Sequence, residues 1–186
     1  MRRIVVLLGG IGYHCDKPLL YYARKIADDN GYSECININF QKTLDMKKDL
    51  DSCFQIYQQQ VEEELAEVNW SVYDEILFIS KSLGTAVAAA YMEAHSDRFN
   101  KQKIRNVYLT PLEMTFKYHP RTGMAFSGTS DPWIDLDDII LCCQKSDVAL
   151  EMIEDMNHSL ECGDPWRNID VVRIVMKKLE EYLTEQ

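Results

Sequence analysis

The chain's sharpest chemical signal is Phe78-Ile79-Ser80-Lys81-Ser82-Leu83-Gly84-Thr85, an apolar run that meets a serine just where a helix of small residues begins. Such a serine sits on a tight strand-to-helix turn with its Oγ held above a sheet, the arrangement of a nucleophile elbow. Small residues two before and two after the serine let that turn close, and Ser80 and Gly84 occupy those positions. The helix N-terminus beneath Ser82 favours negative charge developing there. A serine hydroxyl is a weak nucleophile until a base takes its proton, and the base needs a third group to orient it. Two downstream turns can supply both. The strand Met124–Ser127 opens into Gly128-Thr129-Ser130-Asp131-Pro132-Trp133, and Val148–Ile153 opens into Asp155-Met156-Asn157-His158-Ser159-Leu160. Asp131 and His158 therefore follow the carboxyl ends of strands, where open α/β sheets hold their ligands.

Each of these residues also fits a plainer role. Ser82 is a favoured helix N-cap type. Asp131 before Pro132 suits a turn or cap with proline at the first helical position. Asp164-Pro165-Trp166 repeats that chemistry, so Asp155 and Asp164 compete with Asp131 for the role of the acid, and His158 could be an ordinary surface histidine. His95 and His119 have no comparable placement; His14, near the glycine-rich turn after the first strand, is a loop residue that could touch a substrate. Lys81 fits a solvent-facing side chain or one paired with an acid. Gly10-Ile11-Gly12 hints at a dinucleotide fingerprint, but Cys15 stands where its third glycine belongs and Phe40-Gln41 bring no acid to the second strand. His158 and Cys162, four apart, lack further metal ligands. We expect no cofactor and no metal.

The elements that must position these groups alternate regularly. Strands are predicted at Ile4–Leu8, Cys35–Phe40, Glu75–Ile79, Ile104–Leu109, Met124–Ser127 and Val148–Ile153. Helices are predicted over Asp16–Asp29, Asp45–Asn69, Leu83–Ala94, Asp135–Gln144 and from Ile169 onward. In the second helix Leu50, Phe54, Tyr57, Val61, Leu65 and Val68 recur at spacings of three and four, while Lys47, Lys48 and Glu62–Glu64 form a solvated face. The strands are continuously apolar, which implies burial on both faces. With right-handed crossovers, the alternation gives a three-layer α/β/α sandwich around a mainly parallel sheet of about six strands. The 186 residues suit one domain, 1–186, and 46% hydrophobic residues are enough for a core without disulfide or metal staples.

Composition also excludes partners. Thirty acidic against twenty basic residues, a net charge of −10, argue against binding a phosphate backbone. No apolar run approaches the roughly 20 residues that span a bilayer. Arg2-Arg3 before Ile4–Leu8 imitates a secretory leader, but Gly9, Gly10 and Gly12 break the apolar run and no small-residue cleavage site follows. Six scattered cysteines without a C-x-x-C pair read as free thiols. We expect a cytoplasmic protein that binds neither nucleic acid nor membrane.

The elbow, the acid and the histidine, in that order, resemble the α/β-hydrolase superfamily, whose elbow is G-x-S-x-G. Leu8-Gly9-Gly10-Ile11-Gly12 resembles the family's H-G-x-G oxyanion loop, with Gly9 in place of histidine, and Ser80 replaces the first elbow glycine. The resemblance spans nearly the whole chain and implies a minimal α/β-hydrolase fold. It implies a small acyl substrate, with Ser82 as nucleophile, His158 as base, Asp131 as its orienting acid, and the backbone N–H groups of Leu83 and Ile11 as oxyanion donors. Members often carry a lid before the acid. Here only Pro111–Thr122 lie there, and Met114, Phe116 and Tyr118 could either wall a shallow acyl pocket, together with Gly10 and Trp133, or pack into the core. The expected activity is that of a carboxylesterase-like enzyme on small esters. A thioesterase, acyltransferase or peptidase on the same residues, and a non-catalytic binding protein that retains the fold, are the alternatives.

Overall fold

The computed structural model describes residues 1–40, 49–99 and 104–185. Six strands form one sheet: β1 (Arg3–Leu8), β2 (Glu34–Ile38), β3 (Glu75–Lys81), β4 (Ile104–Leu109), β5 (Gly123–Gly128) and β6 (Val148–Ile153). Their order is β2-β1-β3-β4-β5-β6, and every pairing is parallel. The sheet is thus wholly rather than mainly parallel. Among the described residues five α-helices cover it: α1 (Pro18–Asp29), α2 (Leu50–Leu65), α3 (Leu83–Ala94), α4 (Leu136–Lys145) and α5 (Pro165–Thr184).

The period-two alternation of a strand explains why both faces are apolar. Ile4, Val6 and Leu8 of β1, with Ile76 and Phe78 of β3, pack under α2 and α3. Val5, Leu7, Leu77 and Ile79 point the other way, into the layer of α1 and α5. Tyr108, Ala125, Ile139, Cys143 and Val148 form a third cluster beneath α4.

Several element boundaries differ from the sequence expectation by one to four residues, and those of α5, α2 and β2 have local reasons. Helix α5 starts at Pro165, a turn earlier than Ile169, because Asp164 caps it with a bond from the Trp166 N–H (2.9 Å) and proline suits the first helical position. Helix α2 ends at Leu65; Asn69 then caps a separate short turn, Trp70–Val72. Asp49 caps the start of α2, and the predicted first turn, with Lys47 and Lys48, lies outside the described residues. Strand β2 stops at Ile38, where the Asn39 side chain accepts from the Cys15 N–H.

Because all strands run one way, every strand's carboxyl end lies on one edge of the sheet. Chain order reverses between β1 and β3, which opens a crevice there. Gly84, in the first turn of α3, lets that helix approach β1: a Cβ built on it would collide with the Gly9 carbonyl and lie 2.8 Å from that of Leu8. Glycine to alanine within a helix ordinarily stabilises by about 1 kcal/mol. Here the collision is with backbone and the sign reverses. Gly84→Ala should cost about 1–3 kcal/mol, lowering Tm by roughly 2–4 °C per kcal/mol for a chain of this size. Gly163, with nothing near its Cβ position, is the control: Gly163→Ala should stay within about 0.5 kcal/mol of wild type. Thermal melts of the two variants distinguish these outcomes.

Candidate active site

Ser82 joins β3 to α3 with φ 55° and ψ −124°, a region that residues with a side chain rarely occupy. The turn is held from both sides. Its N–H donates to the Leu109 carbonyl (2.9 Å), and its carbonyl accepts from the Thr85 N–H (2.9 Å) and the Thr85 hydroxyl (2.6 Å). Thr115 bonds to Thr85 in turn (2.6 Å), which ties the β4–β5 connection to the elbow. Ser80 fits without a glycine: it is fully buried in β3, and its Oγ reaches toward the Val107 carbonyl at 3.4 Å.

The structure brings Ser82, His158 and Asp131 into one hydrogen-bonded chain. His158 Nε2 lies 2.6 Å from Ser82 Oγ, and His158 Nδ1 lies 2.6 Å from Asp131 Oδ2. A carboxylate only accepts, so the pairing with Asp131 assigns the proton to Nδ1 and leaves Nε2 to accept from the serine hydroxyl. The Asp131 side chain is fully buried, and its second oxygen accepts from the Trp133 N–H at 2.9 Å. Burial lowers the His158 pKa below its ordinary 6.5, and the Lys81 charge lowers it further; the bond to Asp131 and the charge of Asp131 oppose them without cancelling the effect. The imidazole is therefore held in the neutral form that can take a proton.

The rival acids lie elsewhere. Asp155 faces solvent and pairs with Arg167 at 3.3 Å, and Asp164 caps α5. His14 is exposed, and its Nδ1 accepts from the Asp16 N–H. Trp133 stands beside the histidine, ring centroids 6.1 Å apart, and is 42% exposed. Met114 and Phe116 do not form a pocket wall together. Residues Glu113–Tyr118 wind into a tight helical turn that sends Met114 into the cluster under α3, Phe116 into the cluster under α4, and Tyr118 onto the Phe54 ring. Among the described residues no cluster of ligating side chains could hold a metal ion, and no helix is long and apolar enough to cross a membrane.

The loop after β1 approaches the elbow closely. A Cβ on Gly10 would meet Ser82 Cβ at 2.9 Å and the Lys81 carbonyl at 3.0 Å. Gly10 and Tyr13 pair through both backbone bonds, so Ile11 and Gly12 form the tip of the turn. Leu83 is the first residue of α3, and a helix's first N–H has no intrahelical acceptor. At Gly9 a Cβ would press the Tyr13 carbonyl at 2.7 Å, which excludes a histidine. The loop is steadied instead by the Tyr57 hydroxyl, 2.9 Å from the Gly9 carbonyl and 3.1 Å from that of Ile38. In the sequence Tyr57 stands only as a member of an apolar helix face, its hydroxyl the one sign of a further role. Lys81, expected to face solvent or pair with an acid, is fully buried and donates to the Thr110 hydroxyl and the His158 carbonyl.

No protein-family model matches the chain, and no curated protein matches it in sequence. Solved structures do match. An α/β serine hydrolase homologue from Coxiella burnetii superposes with a TM-score of 0.66 at 12% identity, over 96% of this chain and 85% of the other. This chain has the α/β-hydrolase fold. An α/β serine hydrolase from Xanthomonas campestris described as lacking a lid matches at 0.61 and 11% identity, over 99% and 84% of the two chains. Est1E from Butyrivibrio proteoclasticus matches at 0.63 and 9% identity, over 99% and 89%. The α/β-hydrolase fold here is a small version, with a single short helical turn between β4 and β5.

The balance of causes acting on His158 yields a signed prediction. Removing the Asp131 charge deletes two influences that raise its pKa and leaves burial in place. In Asp131→Asn the His158 pKa should fall below the wild-type value, which itself lies under 6.5. NMR titration of the imidazole checks both statements.

Proposed function

We propose that the protein is a serine hydrolase that cleaves small esters through Ser82, His158 and Asp131. The observation that carries this reading is the hydrogen-bonded chain from Ser82 Oγ through the imidazole to the buried carboxylate. His158 takes the proton as Ser82 Oγ bonds to the acyl carbon, and the carbonyl electrons move onto oxygen. The N–H groups of Leu83 and Ile11 receive that oxyanion; losing one such donor typically costs about 3 kcal/mol. As the tetrahedral intermediate collapses, the proton on Nε2 goes to the departing alkoxide. Water, deprotonated by His158, then releases the acid from the acyl-enzyme. Asp131 keeps the tautomer and stabilises the imidazolium throughout.

The short β4–β5 connection supports small substrates: its side chains pack inward, and Trp133 is the large exposed side chain beside the histidine. Six cysteines, none in a disulfide among the described residues, support a reducing, cytoplasmic setting.

Labelling with a fluorophosphonate tests the reading directly. Wild type should label and Ser82→Ala should not; absence of Ser82-dependent labelling would favour a binding protein on the same fold. Asp131→Asn should lower turnover of p-nitrophenyl acetate by about 10⁴-fold. Asp164→Asn should leave turnover within about threefold, because asparagine caps a helix nearly as well as aspartate. Within acyl chains, acetyl and butyryl esters should be preferred; a strong preference for long chains would contradict the open site.

A further inference from the structure

Lys81 immediately precedes Ser82, and its side chain reaches the backbone of the histidine. It is 1% exposed, and its Nζ donates to the Thr110 hydroxyl and to the His158 carbonyl at 2.6 Å, with the Tyr13 ring centroid 5.1 Å away. Thr110 is itself fixed: it follows β4 with φ 46° and donates its N–H to the Phe126 carbonyl at 2.7 Å. One end of the lysine's reach is therefore anchored to two central strands. The other end is the backbone of the residue that carries the imidazole, on a loop flanked by two left-handed residues, Asp155 and Leu160. Burying an ammonium is costly unless it is bonded. An apolar side chain could fill the same space without that cost, so the choice of lysine calls for a reason.

We propose that Lys81 is a positioning residue for His158, clamping the histidine's carbonyl to the end of β4 so that the imidazole stays between Asp131 and Ser82, and adding a positive charge that opposes its protonation. The inference rests on the serine-hydrolase reading for its effect on turnover, though its effect on His158 itself does not. The groups facing Lys81 are Tyr13 and Lys17 from the start of the chain, Thr110 after β4, Asp131 after β5, and His158 and Glu161 from the loop after β6. Burial, with Lys17 adding to it, lowers the lysine's pKa to about 7 against the opposing pull of Asp131 and Glu161. A protonated lysine so close to the ring opposes the charging of the imidazole. The sign follows: without Lys81, His158 should hold its proton to a higher pH.

The test compares wild type with Lys81→Met and Thr110→Ala, each first checked for a cooperative thermal melt. NMR titration of His158 should give a higher pKa in Lys81→Met than in wild type, and the low-field Nδ1 proton signal of the Asp131-bonded imidazole should weaken or vanish. With p-nitrophenyl acetate, kcat should fall at least tenfold while KM changes less than about twofold, and the acid limb of the pH profile should move up. Thr110→Ala keeps the charge but frees the clamp: it should lower kcat severalfold and leave the acid limb in place. A folded Lys81→Met with an unshifted His158 pKa and an intact Nδ1 signal overturns the proposal. If Lys81→Met does not fold, Thr110→Ala decides, and unchanged kcat and Nδ1 signal there overturn it. Should wild type lack esterase activity, the NMR arm still judges the role of Lys81, so the two failures stay distinct.

Discussion

The backbone of Ser82 carries the constraint on which the rest of the molecule depends. A non-glycine residue at φ 55°, ψ −124° stores strain of about 1–3 kcal/mol and persists only where its surroundings over-determine it. Those surroundings are all present. Strand β4 accepts its N–H, the first turn of α3 donates twice to its carbonyl, and the loop after β1 presses against its Cβ. Two glycines make the closeness possible: Gly84 brings α3 onto β1, and Gly10 brings the loop onto the elbow. The strain has a geometric return, because only this turn lifts Oγ off the strand and toward the histidine loop.

Electrostatics adds a second layer of the same kind. A fully buried carboxylate, a fully buried lysine amine and a half-buried imidazole share one region, and each would be unfavourable there without a bonded partner. Asp131 is satisfied by the Trp133 N–H and the imidazole, and Lys81 by two oxygens and an aromatic face. His158 is left neutral because burial outweighs its bond to Asp131. An imidazole that gained its proton too readily would lose its capacity as a base near neutral pH. The carboxylate orients the ring, and burial with a neighbouring cation keeps the ring free to accept.

The fold was legible because its information is periodic. Continuous apolar runs marked strands buried on two faces, and the spacing of Phe54, Tyr57, Val61 and Leu65 marked α2. The candidate site was legible where chain order and strand ends sufficed, at Ser82, Asp131 and His158. It was not legible where the answer depends on what lies across space. Asp131-Pro132-Trp133 and Asp164-Pro165-Trp166 make the same local turn, each aspartate accepting from the tryptophan N–H at 2.9 Å. One aspartate then meets an imidazole and the other begins a helix. No local pattern separates them. Lys81 shows the same limit from the other side: a lysine's sequence prior is exposure, and only the assembled loops after β4 and β6 supply the oxygens that permit its burial.

The connection between β4 and β5 shows how small size shapes chemistry. In 13 residues, 110–122, it must cross from one strand to the next, support the elbow through Thr115, and fill two core clusters with Met114 and Phe116. Side chains committed to the core cannot also enclose a ligand. A hydrophobic pocket distinguishes one methylene by about 1–3 kcal/mol only when it surrounds that group. Among the described residues, the Trp133 ring stands beside the histidine, and Ile11, at the tip of the loop after β1, is itself packed on the core. On the proposed reading, selectivity must then arise at the reacting carbonyl, from how well an acyl group fits between the elbow and the loop after β1, rather than from recognition of a long chain.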